Sequence, residues 1–359
     1  MGVKDLDTFF CAGDFSAFSA AFPTADTADM FLLQGENEWA KQRLFSALLK
    51  GAVAYNLPHT RVLCAHNAAK TAAIYLPSQH RFAVDADYFS TLCAKYPCAK
   101  RYTAPAYVRV PSAAGEEHGV LLATAAQAEA RADLLLRTAA RAYRENEETL
   151  GAEANRARIL RAVLEILRTA APTGKKARGK VLFRRKLSGV TAWGIHTVYG
   201  PFQKAGMRTG VLRDIYGGVS PIFLQGLCTA CTEIGLDVQV YTALLTDTPV
   251  HLAVPECGIA FFTENDLHPF PFRTHGVFGA SRFLRREAAR AVLPALQKRQ
   301  AVASDALACA VFSLYETAEA HNTLLRFGEA HTDLDALTQA KAAILSDFFD
   351  FRHFTEKKK

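Results

Sequence analysis

Two stretches of this chain carry residue types that could hold a phosphate. The pattern G-x-x-x-x-G-K-[ST], set between a strand and a helix, cradles phosphate with backbone N–H groups. Its lysine reaches the outer oxygens and its hydroxyl holds Mg²⁺. In the first stretch the eight positions are Gly35, Glu36, Asn37, Glu38, Trp39, Ala40, Lys41 and Gln42. The first glycine and the lysine are present. Ala40 brings a Cβ where the backbone often needs glycine. Gln42 stands at the hydroxyl position and cannot act as that ligand. Glu36 and Glu38 put negative charge where phosphate charge would sit. The plain alternative is a strand-to-helix turn with an exposed lysine.

The second stretch departs differently. It reads Arg213, Asp214, Ile215, Tyr216, Gly217, Gly218, Val219 and Ser220. Gly218 and Ser220 keep the second glycine and the hydroxyl. Arginine replaces the first glycine and Val219 the lysine, so no point charge faces the outer phosphates. Pro221 follows. Serine at the N-cap with proline at N1 is a good helix start, but proline removes one donor from the first turn. The plain alternative is a capped helix and nothing more. An acid that could hold Mg²⁺ through water follows an apolar run at Phe82-Ala83-Val84-Asp85. In the second half the matching run ends at Thr263, with Glu264 next. A strand-end aspartate also forms turns.

The elements that must position these residues occur twice. Phe31 to Asp87 recurs at an offset of 178 residues (209 − 31), which the sequence carries without a gap. Phe45 falls on Phe223, Leu49 on Leu227, Val62 on Val240 and Pro77 on Pro255. Each copy reads strand, loop, helix, strand, then a third strand after the shared proline. That order predicts βαβ units on a parallel sheet. In the first half, strands are expected at Phe31–Gln34, Arg61–Ala65 and Arg81–Val84, with a helix over Lys41–Leu49. In the second, a helix is expected over Ser220–Ile234, with strands at Val238–Ala243 and Gly258–Phe262. Ala123 to Ala171 is helical with a break at Gly151, closing the first half as a helical hairpin. Helices from Arg285 to Phe351 close the second. Residues 173–180, Gly/Lys/Arg-rich, read as a linker. The expected organisation is therefore an α/β fold with two duplicated domains, 1–172 and 181–359. Phe9, Phe10, Phe15, Phe18 and Phe22 form an apolar lead-in, and Lys357 to Lys359 a charged tail.

With 359 residues, half of them hydrophobic and 21% charged, the chain has ample material for two cores. Its net charge of +7 and pI near 9.0 permit an acidic partner without requiring one. The start of the chain lacks an apolar leader, and no apolar run has membrane-span length. The eight cysteines then suit free thiols in a reducing cytoplasm.

The chain resembles a bacterial family of tandem P-loop NTPases of unknown role. The resemblance covers nearly the whole chain. It rests on Phe9-Phe10-Cys11-Ala12-Gly13, on the two loop positions, and on Pro255-Glu256-Cys257-Gly258-Ile259-Ala260 with His268 soon after. It rests also on Ala318-Glu319-Ala320-His321-Asn322, which is similar to the family's A-x-x-x-H-[DN] helix but has two residues between Ala318 and His321. The family carries intact phosphate loops, and this chain departs from them in both halves. The resemblance implies P-loop NTPase-like domains, with Gly35, Lys41, Gln42 and Asp85, then Gly218 and Ser220, as the binding positions. It implies ATP with Mg²⁺ as their ligand, held weakly or no longer held.

Other signals are weaker. Cys228 and Cys231 form a CxxC, and Cys93 and Cys98 lie close in sequence, but small core residues explain the first pair. His196, His251 and His268 lie on separate segments that nothing in the sequence joins. From Ile166 to Arg213 there is no acid, while Lys175, Lys176, Arg178, Lys180, Arg184, Arg185 and Lys186 cluster. Such a run could track a nucleic-acid backbone, or be a solvated linker. The expected function is a binding, scaffold or regulatory protein with little or no hydrolysis, no metal centre and no assigned catalytic residue. The alternative is an active ATPase or nucleotide kinase using the first loop. A lesser one is nucleic-acid binding through the basic run. A protein partner is open, and a membrane is not expected.

Overall fold

Strand residues 29–34 show how the first sheet forms. Met30 and Leu32 enter one core, and Phe31 and Leu33 the other. Alternate side chains point to opposite faces, so a strand apolar on both is a strand covered on both. The computed structural model describes residues 8–10, 22, 28–64, 67, 69–89, 96, 98–108, 110–170, 178–199 and 207–349. Phe15, Phe18, Cys11 to Gly13, Cys93, linker residues 173–177 and the tail Lys357 to Lys359 lie outside them. Two compact units are formed, one from residues 1–130 with 313–359, the other from 131–312.

In the first unit the elements are β1 (Thr8–Phe10), β2 (Asp29–Gln34), α1 (Glu38–Ala54), β3 (Thr60–Cys64), β4 (Thr71–Leu76), β5 (Arg81–Asp85) and β6 (Lys100–Thr103). The strand order is β1-β3-β4-β5-β2-β6. β2 is parallel to β5 and β6, and β1 to β3, but β4 is antiparallel to both its neighbours. The sheet is therefore mixed, which corrects the expectation of an all-parallel one. β4 escapes the sequence reading because Thr-Ala-Ala-Ile-Tyr-Leu is buried at every position and shows no alternation. The helix also starts earlier than expected. Asn37 caps it by accepting from the Ala40 amide at 3.1 Å, so only residues 35–37 separate β2 from α1.

In the second unit they are β7 (Val181–Lys186), β8 (Ser188–Thr191), β9 (Gly194–Thr197), β10 (Arg208–Arg213), α4 (Ser220–Glu233), β11 (Val238–Thr242), β12 (Pro249–Val254), β13 (Ile259–Glu264) and β14 (Gly276–Gly279). The helices α2 (Ser112–Gly151) and α3 (Arg156–Ala170) precede them. The order β7-β11-β12-β13-β10-β14 matches the first unit strand for strand. β10 is again parallel to both neighbours and β12 antiparallel to both. Pro77 and Pro255 both follow the antiparallel middle strand. The register corrects the gapless offset at one place. Asp29 pairs with Arg81, whereas Arg208 pairs with Ile259. That sets β10 one residue later than a uniform shift of 178, and aligns Asp214 with Gly35.

The helices α5 (Arg286–His331) and α6 (Leu334–Phe348) end the described chain. The expected domain limits, 1–172 and 181–359, do not follow the packing. From α6, Leu337, Ile344 and Phe348 enter the core of α1 with Leu44 and Phe45. From α3, Ile159, Val163 and Leu167 enter the core of α4 with Phe223 and Leu227. Each terminal helix thus completes the unit built on the other sequence half. Burying such side chains is worth about 1.5–3 kcal/mol apiece, so the choice of partner decides which residues form a unit.

Candidate functional site

The first loop brings together four of the residues chosen from the sequence, but in a closed arrangement. Gly35 adopts φ +123°, a conformation that favours glycine. Its amide donates to Asp87 Oδ2 at 3.2 Å. Lys41 is 3% exposed, not the exposed lysine of the plain reading. Its Nζ lies 2.7 Å from Asp87, 3.1 Å from Asp85 and 3.2 Å from Glu38. Lys70 adds a second cation, 3.1 Å from Glu38 and 3.9 Å from Asp85. Two lysines thus face three carboxylates, and ionised together they leave no positive charge for a phosphate. Burial opposes the Lys41 charge, but Asp85, Glu38 and Asp87 overcome it and hold its pKa above the usual range. Burial raises the Asp85 carboxyl against the pull of Lys41.

Gln42 has a structural task. Its side-chain amide donates to the Thr71 carbonyl and accepts from the Thr71 amide, both at 3.0 Å, and also donates to Glu38. It pins the start of β4 to α1. Sequence reasoning chose Asp85 and Lys41 but missed Asp87, Glu38 and Lys70 as their partners. Asp87 lies two residues past a strand-end acid and Glu38 three before the lysine, which was the available signal.

The second loop is closed by its own aspartate. Asp214 Oδ2 accepts from the Val219 amide at 2.8 Å, the Ser220 amide at 2.7 Å and the Ser220 hydroxyl at 2.9 Å. These are the N-terminal donors of α4, which a helix leaves without an internal partner and which favour an anion. Ser220 is the first helical residue, and Val219 the N-cap, with no side-chain capping bond. This corrects serine at the N-cap, since the anion comes from Asp214 instead. Gly217 at φ +72° makes the turn. Gly218 is required by packing. A Cβ there would lie 2.6 Å from Leu150 Cβ and 2.8 Å from the Gly151 amide nitrogen. Burial raises the Asp214 carboxyl, opposed by the Ser220, Val219 and Gly217 donors. Nearby, Glu147 accepts from the Thr246 hydroxyl at 2.7 Å and from Thr248 at 3.2 Å. Burial pushes its carboxyl up to about 7.

Of the three histidines, two meet in the fold although nothing in the sequence joins them. His251 and His268 are both buried, their rings edge to face at 5.0 Å. His251 accepts the Thr263 amide at 3.1 Å and stacks on Phe262. Burial lowers the pKa of both, that of His268 to about 4, so they are neutral core side chains. Cys228 and Cys231 lie in the apolar core of α4, and burial pushes the Cys231 thiol up to about 12. Among the described residues no three acid, histidine or cysteine side chains are grouped to hold a metal. Part of the basic run is a strand: Arg185 lies over the Phe183 ring at 4.1 Å and Lys186 pairs with Asp247 at 2.7 Å. No described helix is long and apolar enough to cross a membrane.

As they stand, the residues of neither loop fit a magnesium-bound triphosphate. The first has its cation neutralised and its hydroxyl position tied to Thr71. The second has its amides taken and valine for lysine. Comparison with protein-family models, with curated proteins and with solved structures finds no match to this chain.

Proposed function

We propose that the chain is a tandem P-loop NTPase-like protein, one α/β unit duplicated, whose loops no longer turn over nucleotide. It serves as a binding, scaffold or regulatory protein. The observation that carries this reading is the Asp214 carboxylate on the Val219 and Ser220 amides, the donors a phosphate would use. In the first unit, the three carboxylates around Lys41 support the same conclusion. The shared strand order supports duplication.

One observation favours a second reading, an ATPase or nucleotide kinase working from the first loop. Lys41 and Asp85 keep a 3.1 Å contact, and Gly35 keeps a glycine-type backbone. That reading requires Glu38 and Asp87 to leave Lys41 as phosphate enters. A melting titration separates the two. Ligand at a hundredfold excess over Kd stabilises the native state by about 2.7 kcal/mol, several degrees for units of this size. We expect no shift with millimolar Mg-ATP. A shift that Lys41→Ala abolishes would favour the second reading.

A further inference from the structure

The second unit forms an open cleft of about 1100 Å³ beyond the carboxyl ends of β10, β13 and β14. Open α/β sheets bind ligands at this end of their strands. Its walls differ in chemistry. Arg282 lies on the short turn before α5, and Arg286 and Arg290 lie one helical turn apart on α5 itself. Like charges at this spacing disfavour a helix. Among the described residues none of the three is ion-paired, whereas their neighbours are. Arg213 holds Glu264 at 2.6 Å, and Arg285 holds Glu153 at 2.9 Å.

The acids of the cavity are mostly committed. Glu264 is held by Arg213, and the Asp214 oxygen Oδ2 by the amides of α4. Asp266 accepts a 3.4 Å bond from Gln300. Three arginines therefore face one exposed aspartate. The rest of the lining includes Ile215, Tyr216, Phe270 and Leu293. Ile215 is 63% and Leu293 37% exposed, large apolar surface left in water.

We propose that this cavity binds a small organic anion with an aromatic or apolar body. Arg286 and Arg290 take its carboxylate, sulfonate or phosphate, and Tyr216 and Phe270 its body. The planar guanidinium suits such groups, since its fork donates two parallel bonds. The volume lies just above the usual range for a small-molecule pocket, room enough for such a ligand. The proposal goes beyond the reading of the loops and holds whether or not either of them takes nucleotide.

The test uses the full chain and two naphthyl dyes followed by fluorescence. One is 8-anilinonaphthalene-1-sulfonate, which carries the anion. The other is N-phenyl-1-naphthylamine, which is neutral. The anionic dye is expected to saturate at one equivalent. Arg286→Ala with Arg290→Ala should weaken it at least about tenfold, the loss of one or two charge-assisted bonds, and leave the neutral dye within about threefold. Lys298→Ala removes a charge from the same helix outside the cavity and should change neither. Arg286→Lys with Arg290→Lys keeps the charge and the fold but loses the fork, and should give an intermediate loss. Binding that never saturates, or a loss as large in Lys298→Ala as in the arginine pair, would overturn the proposal. So would unchanged sulfonate binding in the arginine variants.

Discussion

Asp214 Oδ2 lies 2.7 Å from the Ser220 amide nitrogen and 2.9 Å from the Ser220 hydroxyl, so the chain itself supplies the anion at the start of α4. The first unit solves the converse problem. There a lysine is present, and Asp87, at 2.7 Å, takes its charge. One loop has no cation and its amides are filled, while the other has a cation surrounded by carboxylates.

Asp214→Ala should destabilise the second unit by about 3 kcal/mol or more, because two buried amides and a hydroxyl lose a charged acceptor. Urea unfolding measures this. The variant should also show a rise in melting temperature with millimolar inorganic phosphate, and the wild type should show none. An unchanged stability would mean that these bonds do not hold the loop.

Lys41→Met should cost the first unit about 3 kcal/mol, since it leaves Asp85 buried beside Glu38 with only Lys70 to answer. Combining it with Asp85→Asn should recover at least about 1 kcal/mol. A double-mutant cycle by chemical denaturation reads the coupling, and strict additivity would show that the pair is not formed.

Gly51→Ala should destabilise by about 1–3 kcal/mol, because its Cβ would sit 2.6 Å from the Phe349 ring. Helix propensity alone predicts a gain of about 1 kcal/mol. The sign of the change therefore tests whether the end of α6 covers α1. Adding Phe349→Ala should remove the clash penalty.

Glu147 makes stability depend on pH. Its carboxyl stands at about 7 when folded, against about 4.3 unfolded. A raised carboxyl favours the folded state while protonated. Its contribution is full below the unfolded value and is lost as pH rises through about 7. On the order of 3 kcal/mol should disappear across that window. Glu147→Gln should flatten the profile there, as followed by melting temperature from acid to neutral pH.

Much of the scaffold is legible in the sequence, and the closing contacts are not. The runs ending at Gln34, Asp85 and Thr263 read as strands because both faces are apolar. The helix at Ser220 reads from its serine, proline and final Gly235. Pro249-Val-His-Leu-Ala-Val does not, since its proline and histidine weaken a strand signal, yet β12 lies in the middle of its sheet. Periodicity shows that Ile159, Val163 and Leu167 share a face, but not that α4 covers it. Asp214 is visible as an acid six residues before the helix start. Its use as a capping anion depends on the turn at Gly217, φ +72°, which brings the loop back on itself.

The central claim is that both loops are closed by the chain's own carboxylates and turn over no nucleotide. Phosphate release from Mg-ATP by the purified full chain, beside Lys41→Ala and Asp214→Ala, tests it most directly. The expected result is release at the buffer background for all three proteins. Release by the wild type that Lys41→Ala abolishes would contradict it, placing a working site in the first loop.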